Sequence, residues 1–159
     1  FNMAVMGLAT FLYVVLIGGD LNGPVLGGIF TVVGFAAFGK HPGNTWSVVL
    51  GVAGATVLFG WQLSDPGPVL AALFGTTLAP LAGQFGPLIG VVAGVLHLSM
   101  VQRTGAWHLG INLYNNGFAG GLTATFLVAV IDWYGTNVER KREAEPGAKA
   151  EVKRGKTES

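Results

Sequence analysis

The chain has 159 residues, of which 51% are hydrophobic and only 11% are charged. That charged share is less than half of the roughly 25% typical of soluble domains, so an ordinary water-soluble globule is excluded. The absence of cysteine excludes a disulfide framework, thiolate metal sites and a cysteine nucleophile. We therefore expect an integral membrane protein whose first partner is the lipid bilayer.

The charged residues are concentrated at the C-terminal end. Seven of the nine basic and five of the eight acidic residues lie within 139–159. Because that segment has no apolar face to bury, we expect residues 136–159 to form a disordered tail behind a transmembrane domain over 1–135. The cluster Arg140-Lys141-Arg142 predicts a cytoplasmic C-terminus. The body has no basic patch, so no nucleic acid is expected as a partner.

The first half of the body contains three apolar segments, and a full membrane span needs about 20 residues. Met3–Gly19 just qualifies and is stopped by Asp20. Val25–Gly39 is shorter, which suits a half-buried or re-entrant element. Trp46–Leu63 has a tryptophan near each end, as expected at a membrane interface, and Thr45 is its candidate N-cap.

In the second half of the body, polar residues, glycines and prolines interrupt the apolar segments. Val69–Leu78 is too short to cross. Residues 75–87 mix hydroxyls, an amide, glycine and proline, which membrane depth tolerates only inside protein or beside a water-filled cavity. We therefore predict a re-entrant half-helix and loop there, followed by segments Leu88–Gln102 and Phe118–Tyr134. The predicted fold class is an all-α, polytopic transmembrane protein with four to six membrane segments, including broken or re-entrant half-helices.

Two nonamers in the chain are similar. Leu21–Ile29 and Tyr114–Leu122 share Asn, Gly and Gly at corresponding positions, and each stands before an apolar segment. Interrupted helix starts in corresponding positions point to a midplane binding site in repeat-built transporters. The glycine-rich runs elsewhere in the body predict close helix packing.

The same stretches carry a family resemblance. The resembling segments are Asp20–Pro24, Phe38–Asn44, Gly75–Gly83 and Gly110–Gly121. They resemble a bacterial membrane family catalogued as domain of unknown function 1576, over most of residues 15–135. The resemblance implies a bacterial inner membrane protein that is a C-terminal half or a reduced version of a longer architecture, and it implies no activity. More distantly, residues 22–27 and 110–117 are similar to signatures of urea transporters, which are small-solute channels.

Candidate pathway residues are polar groups at predicted helix starts, breaks and loops. Their amides can donate and accept hydrogen bonds, which suits a small polar solute, whereas the alternative for asparagine is helix capping. For the threonines and the glutamine, the alternative is bonding to carbonyls freed by prolines. The acidic candidate could instead be an interfacial stop residue, or form a proton relay with the histidine. The candidates are Asn22, Asn112, Asn115, Asn116, Thr76, Thr77, Gln84, His108 and Asp20. His97 is interpreted as a packing or interfacial histidine.

No sequence motif for nucleophilic, metal-dependent or phosphate-binding catalysis occurs, so we expect no enzyme, catalytic residue, metal site or cofactor. The interruptions predict a channel or transporter for a small solute, neutral or weakly charged because no charge lies at a plausible midspan. A chain of 16.5 kDa has few helices to enclose a path, so a homo-oligomer or a partner membrane half is expected. The alternative is a non-transporting structural or assembly subunit of a membrane complex. The first residue is not Met, so the sequence is expected to be a piece of something longer or a processed chain.

Overall fold

The computed structural model describes residues 1–107 and 115–155, with side chains described through residue 140. The described chain consists of helices and their connections, which confirms the all-α fold class. In chain order the elements are α1 (Asn2–Leu16), α2 (Gly23–Ala36), α3 (Pro42–Leu58), α4 (Pro66–Gly75), a 3-10 turn (Thr76–Leu78), α5 (Ala79–Phe85), α6 (Pro87–Trp107) and α7 (Asn115–Gly155).

Three helical runs in the described chain are long and apolar enough to cross a membrane, which makes this a membrane protein. They are Pro66–Phe85, Pro87–Trp107 and Asn115–Arg140. Helices α1 and α2 are apolar but have only 15 and 14 residues. The expected total of four to six membrane segments therefore stays a prediction.

The predicted loop at the interruption is wrong, because residues 76–85 are helical. Pro66–Phe85 forms one run of 20 residues, in which α4 continues into α5 through the 3-10 turn. Pro80 lacks the N–H that would bond to the Thr76 carbonyl in an α-helix. The Ala79 N–H bonds to that carbonyl instead. The proline thus tightens the winding for one turn without ending the helix.

Helix α3 begins earlier than predicted, so Thr45 is not its N-cap. His41 occupies the N-cap position, and its N–H donates to Asn44 Oδ1 over 2.9 Å. Pro42 fits the first turn because its missing N–H would be unpaired there in any case. The helix ends at Leu58, after 17 residues.

The chain divides into two compact units, Phe1–Ala124 and Thr125–Ser159. The backbone of α7 is helical through Gly155, and the disordered tail expected over residues 136–159 stays a prediction. Alanine, glutamate, lysine and arginine are strong helix formers. A segment without an apolar face can therefore still have a helical backbone.

The first unit is held together at its centre by close packing of α3 on α6. A β-carbon at Gly51 would collide with the Val91 carbonyl, and one at Gly94 would collide with the Val48 carbonyl. The adjoining core consists of Val52, Ala55, Ala71, Ala72 and Leu98. The predicted packing role of the glycine runs is thus confirmed at this interface.

Gly51→Ala is expected to destabilise the protein by about 2 kcal/mol, because the new methyl group would push the two backbones apart. The matched control is Gly54→Ala in the same helix, where a β-carbon meets nothing within 4 Å. There alanine should be neutral or stabilise by up to about 1 kcal/mol through helix propensity. Denaturant unfolding in detergent measures both, and equal effects of the two substitutions would contradict the close contact.

Candidate functional site

The 3-10 turn brings two threonine hydroxyls to the interior. Thr76 is 1% exposed and its hydroxyl donates to the Leu73 carbonyl over 2.6 Å. Thr77 is half-buried and its hydroxyl donates to the Phe74 carbonyl over 2.8 Å. Both bonds satisfy carbonyls of α4, and neither carbonyl is one freed by Pro80 or Pro87, so the alternative role expected for these residues is not the one observed. Each hydroxyl oxygen can still accept a hydrogen bond.

A buried lysine reaches this turn from the connection between α2 and α3. Lys40 is 6% exposed, and its Nζ donates to Thr76 Oγ1 over 2.7 Å. The ammonium lies 4.9 Å from the centroid of the Phe35 ring, a cation–π distance. Asn2 Nδ2 donates to the Lys40 carbonyl over 2.7 Å and so fixes the connection to the start of α1.

Burial of Lys40 has an electrostatic cost. Desolvation lowers the pKa of Lys40 from 10.5 to about 8, and no carboxylate of the described chain offsets it. Gly39 has φ of 99°, a backbone conformation that favours glycine and that turns the chain after α2. The local backbone therefore holds a cation in a place where its charged form is disfavoured.

A cavity of about 320 Å³ adjoins this lysine. Its polar lining comes from Lys40, Asn44 and Thr77. Its apolar lining comes from Phe35, Phe38, Gly39, Ala79 and Pro80. The cavity therefore lies where the connection between α2 and α3 meets the start of α5.

A fully buried histidine lies near the start of the same turn. His97 of α6 has no exposed surface, and neither of its ring nitrogens has a hydrogen-bond partner. Asn116, at the start of α7, lies within hydrogen-bonding reach of the ring, although its buried Oδ1 forms no hydrogen bond of good geometry.

Glycines hold the histidine close to the turn. A β-carbon at Gly75 would lie 3.0 Å from His97 Cδ2. One at Gly120 would lie 3.5 Å from Thr77 Oγ1 and 3.9 Å from His97 Nδ1. Thr77 and His97 therefore flank the same glycine. We call Lys40, Thr76, Thr77, His97 and Asn116 the polar centre.

The structure brings together only some of the predicted candidates. Thr76, Thr77 and Asn116 belong to the polar centre. Asn115, beside Asn116, begins α7 and is half-buried. Asn112 and His108 lie outside the described residues.

The other candidates lie elsewhere. Asn22 caps α2, since its Oδ1 accepts the Val25 N–H over 3.1 Å, and this is the alternative expected for asparagine. Asp20 is exposed in the connection between α1 and α2. Gln84 is exposed near the end of α5. None of the three lines the cavity beside Lys40.

Sequence reasoning missed two members of the polar centre, and a signal existed for each. Residues 1–138 contain two basic residues, of which Lys40 is one, and three acidic ones. With so few acidic residues, a carboxylate partner for Lys40 could not be assumed. His97 lies seven residues after Gly90 and three after Gly94, which places all three on one helix face. Both glycines contact α3, so that face points inward.

The polar centre offers hydrogen-bond donors and acceptors rather than a metal site. Across the described residues, no group of three or more His, Cys, Asp or Glu side chains could hold a metal ion. An imidazole, an amide and two hydroxyls in an apolar surrounding can orient a small polar molecule.

Comparison with known proteins places the chain in a family. No curated protein and no solved structure matches it. The family described as protein of unknown function (DUF1576) matches residues 1–133, which is most of the chain. The chain therefore belongs to the DUF1576 family.

Proposed function

We propose that this protein is a membrane channel or transporter for a small, neutral or weakly charged solute. The observation that supports this proposal is His97, fully buried with both ring nitrogens unpaired beside the unpaired Oδ1 of Asn116. A buried polar group without a partner costs about 1–3 kcal/mol. His97 and Asn116 are kept at that cost beside the irregular turn of another helical run that is long enough to span. Such groups suit a solute that pairs with them in passing.

The chemistry of these groups favours a solute that can both donate and accept hydrogen bonds. An imidazole and an amide each do both, without a net charge when the imidazole is neutral. The glycines at 75 and 120 have no side chain, which lets the chain approach the ring closely. Neither this chemistry nor the sequence supports a catalytic step, so the proposal includes no enzyme activity.

The proposed working unit is larger than one chain. Three candidate spans are few to surround a path, so we infer a homo-oligomer or a partner membrane half. We further propose a bacterial inner membrane location with a cytoplasmic C-terminus, on the basis of the basic cluster at 140–142.

A second candidate is a non-transporting assembly subunit. It is favoured by an apolar groove of about 430 Å³ in which α1 and α3 form the sides and α4 the floor. Residues such as Met6, Tyr13, Trp46 and Leu73 line it. A helix from a partner membrane protein would bury this lining.

Thiol accessibility separates the two candidates, since the chain has no cysteine of its own. Thr76→Cys, at a position that is 1% exposed, is expected to react with a water-soluble maleimide in proteoliposomes about tenfold faster or more than Thr56→Cys, which corresponds to about 1.4 kcal/mol of opening free energy. Thr56 is the matched control, because it is 0% exposed and its hydroxyl also donates to a carbonyl of its own helix. Equal, complete protection of both would favour the assembly subunit.

A further inference from the structure

The cavity beside Lys40 carries positive charge without a matching negative one. Of the described residues that line it, Lys40 is the one with a charged side chain. Asn44, in the first turn of α3, also lines the cavity, so it lies near the N-terminal end of that helix. The positive end of the helix dipole adds to the charge of the ammonium.

The ammonium keeps donors for a ligand. Of its three N–H groups, one is directed to Thr76 Oγ1 at 2.7 Å. The Asn44 amide donates one hydrogen to the Gly39 carbonyl over 3.1 Å and has a second. The Lys40 ammonium and the Asn44 amide are therefore both available as donors, and the ammonium is partly desolvated. This is a suitable environment for a carboxylate, because hydrogen bonds between charged groups are the strong ones.

The size and walls of the cavity limit the ligand. A volume of about 320 Å³ lies at the low end of the range for ligand pockets. The aromatic rings of Phe35 and Phe38 and the ring of Pro80 give it apolar walls. Such walls favour a short alkyl chain over a second charged group.

We propose that Lys40 anchors a binding site for a small organic monoanion, a short-chain carboxylate, in this cavity. The inference goes beyond the proposed function, since an anion can bind here whether or not the protein transports a solute. The expectation that no charge lies at a plausible midspan did not anticipate a buried charge in the connection between α2 and α3, where the ammonium of Lys40 contacts the turn that carries Thr76 and Thr77.

The test is equilibrium dialysis of the full chain in detergent with radiolabelled butyrate. Saturable binding that unlabelled butyrate displaces and neutral butyramide does not is the expected result. Lys40→Met should weaken butyrate binding by about tenfold or more, as for loss of a hydrogen bond to a charged group. Lys141→Met, in the charged C-terminal segment, should bind as the wild type does.

A second pair of variants keeps the test decisive should Lys40→Met fail to fold. Phe38 lines the cavity yet is 87% exposed, so its substitution should leave the core intact. Phe38→Glu places a competing carboxylate beside Lys40 and should abolish butyrate binding, whereas the neutral, similarly shaped Phe38→Gln should preserve it. Equal binding by the two variants would overturn the site, as would the absence of saturable binding by the wild type.

The outcomes also separate this inference from the proposed function. Butyrate binding without flux of any solute would overturn the proposed function and leave the anion site standing. Flux of neutral solutes without butyrate binding would overturn the anion site alone.

Discussion

His97→Leu is expected to lower solute flux into proteoliposomes by about tenfold or more while leaving the folded protein at least as stable as the wild type. The flux should fall because leucine removes a donor and an acceptor that a passing solute would use. The stability should hold because an apolar side chain of similar size replaces a buried group whose two ring nitrogens are unpaired. Flux across a panel of small amides and polyols, together with the thermal midpoint in detergent, measures both effects.

The control for this substitution lies on the same helix. Ser99→Ala removes a hydroxyl that donates to the Val95 carbonyl over 2.8 Å and that lies outside the polar centre. It should leave flux unchanged. His97→Gln should retain part of the flux, since an amide also donates and accepts. Unchanged flux of every solute in His97→Leu would contradict the transport proposal, and a large loss of stability would show that His97 serves packing.

Flux and stability must be measured together, because flux is expected to fall in His97→Leu while the stability of the folded protein holds or rises. A histidine kept only for packing should cost stability when it is replaced, and it should have a hydrogen-bond partner. In the described chain the Asn116 side chain lies within reach of the His97 ring, but no hydrogen bond of good geometry joins the two. Buried polar groups retained at a cost in stability are typical of sites where function opposes stability.

The composition and apolar segments correctly predicted the helical fold, because burial of apolar surface and satisfaction of backbone groups leave few alternatives in a membrane. The capping role that the sequence left open for asparagine is confirmed at Asn22, which caps α2, and Pro24 occupies the first turn of that helix. Local rules failed at Pro80. Whether a proline ends a helix depends on a neighbouring N–H reaching the freed carbonyl, as the Ala79 N–H does here, and this depends on packing rather than on the local sequence.

The candidate site was less predictable than the fold. Thr76, Thr77 and Asn116 could be named because polar residues interrupt apolar segments there. Lys40 resembles an ordinary turn residue next to Pro42 and Gly43, and nothing local indicates that its side chain folds inward. That direction follows from long-range contacts of Lys40 with Thr76, which lies 36 residues away in the sequence, and with Asn2, which lies 38 residues away.

The stability of the wild type is expected to rise as the pH increases from 7 to 9.5, because of Lys40. Burial lowers the pKa of Lys40 from 10.5 to about 8 in the folded protein. Between these two values the unfolded chain holds a proton that the folded chain has released, so raising the pH favours folding. Below pH 8 Lys40 is protonated in both the folded and the unfolded chain, so the full cost of burying its charge, about 3 kcal/mol, is present.

Lys40→Met should remove both the cost and the pH dependence. At pH 7 the variant should be more stable than the wild type by up to about 2 kcal/mol, once about 1 kcal/mol for the lost bond to Thr76 is subtracted. Denaturant unfolding in detergent, followed by tryptophan fluorescence at several pH values, measures how the unfolding free energy changes with pH. Lys141→Met should show the same change with pH as the wild type.

The pH dependence can be attributed to Lys40, because the two side chains in contact with its ammonium, Thr76 and Phe35, do not titrate in this range. A wild-type unfolding free energy that does not change between pH 7 and 9.5 would mean that the Lys40 ammonium stays hydrated in the folded protein. A rising profile that persists in Lys40→Met would assign the effect to another group. A rise that disappears with the lysine would show that the protein keeps a cation in its interior at a cost in stability, as a binding site for an anion requires.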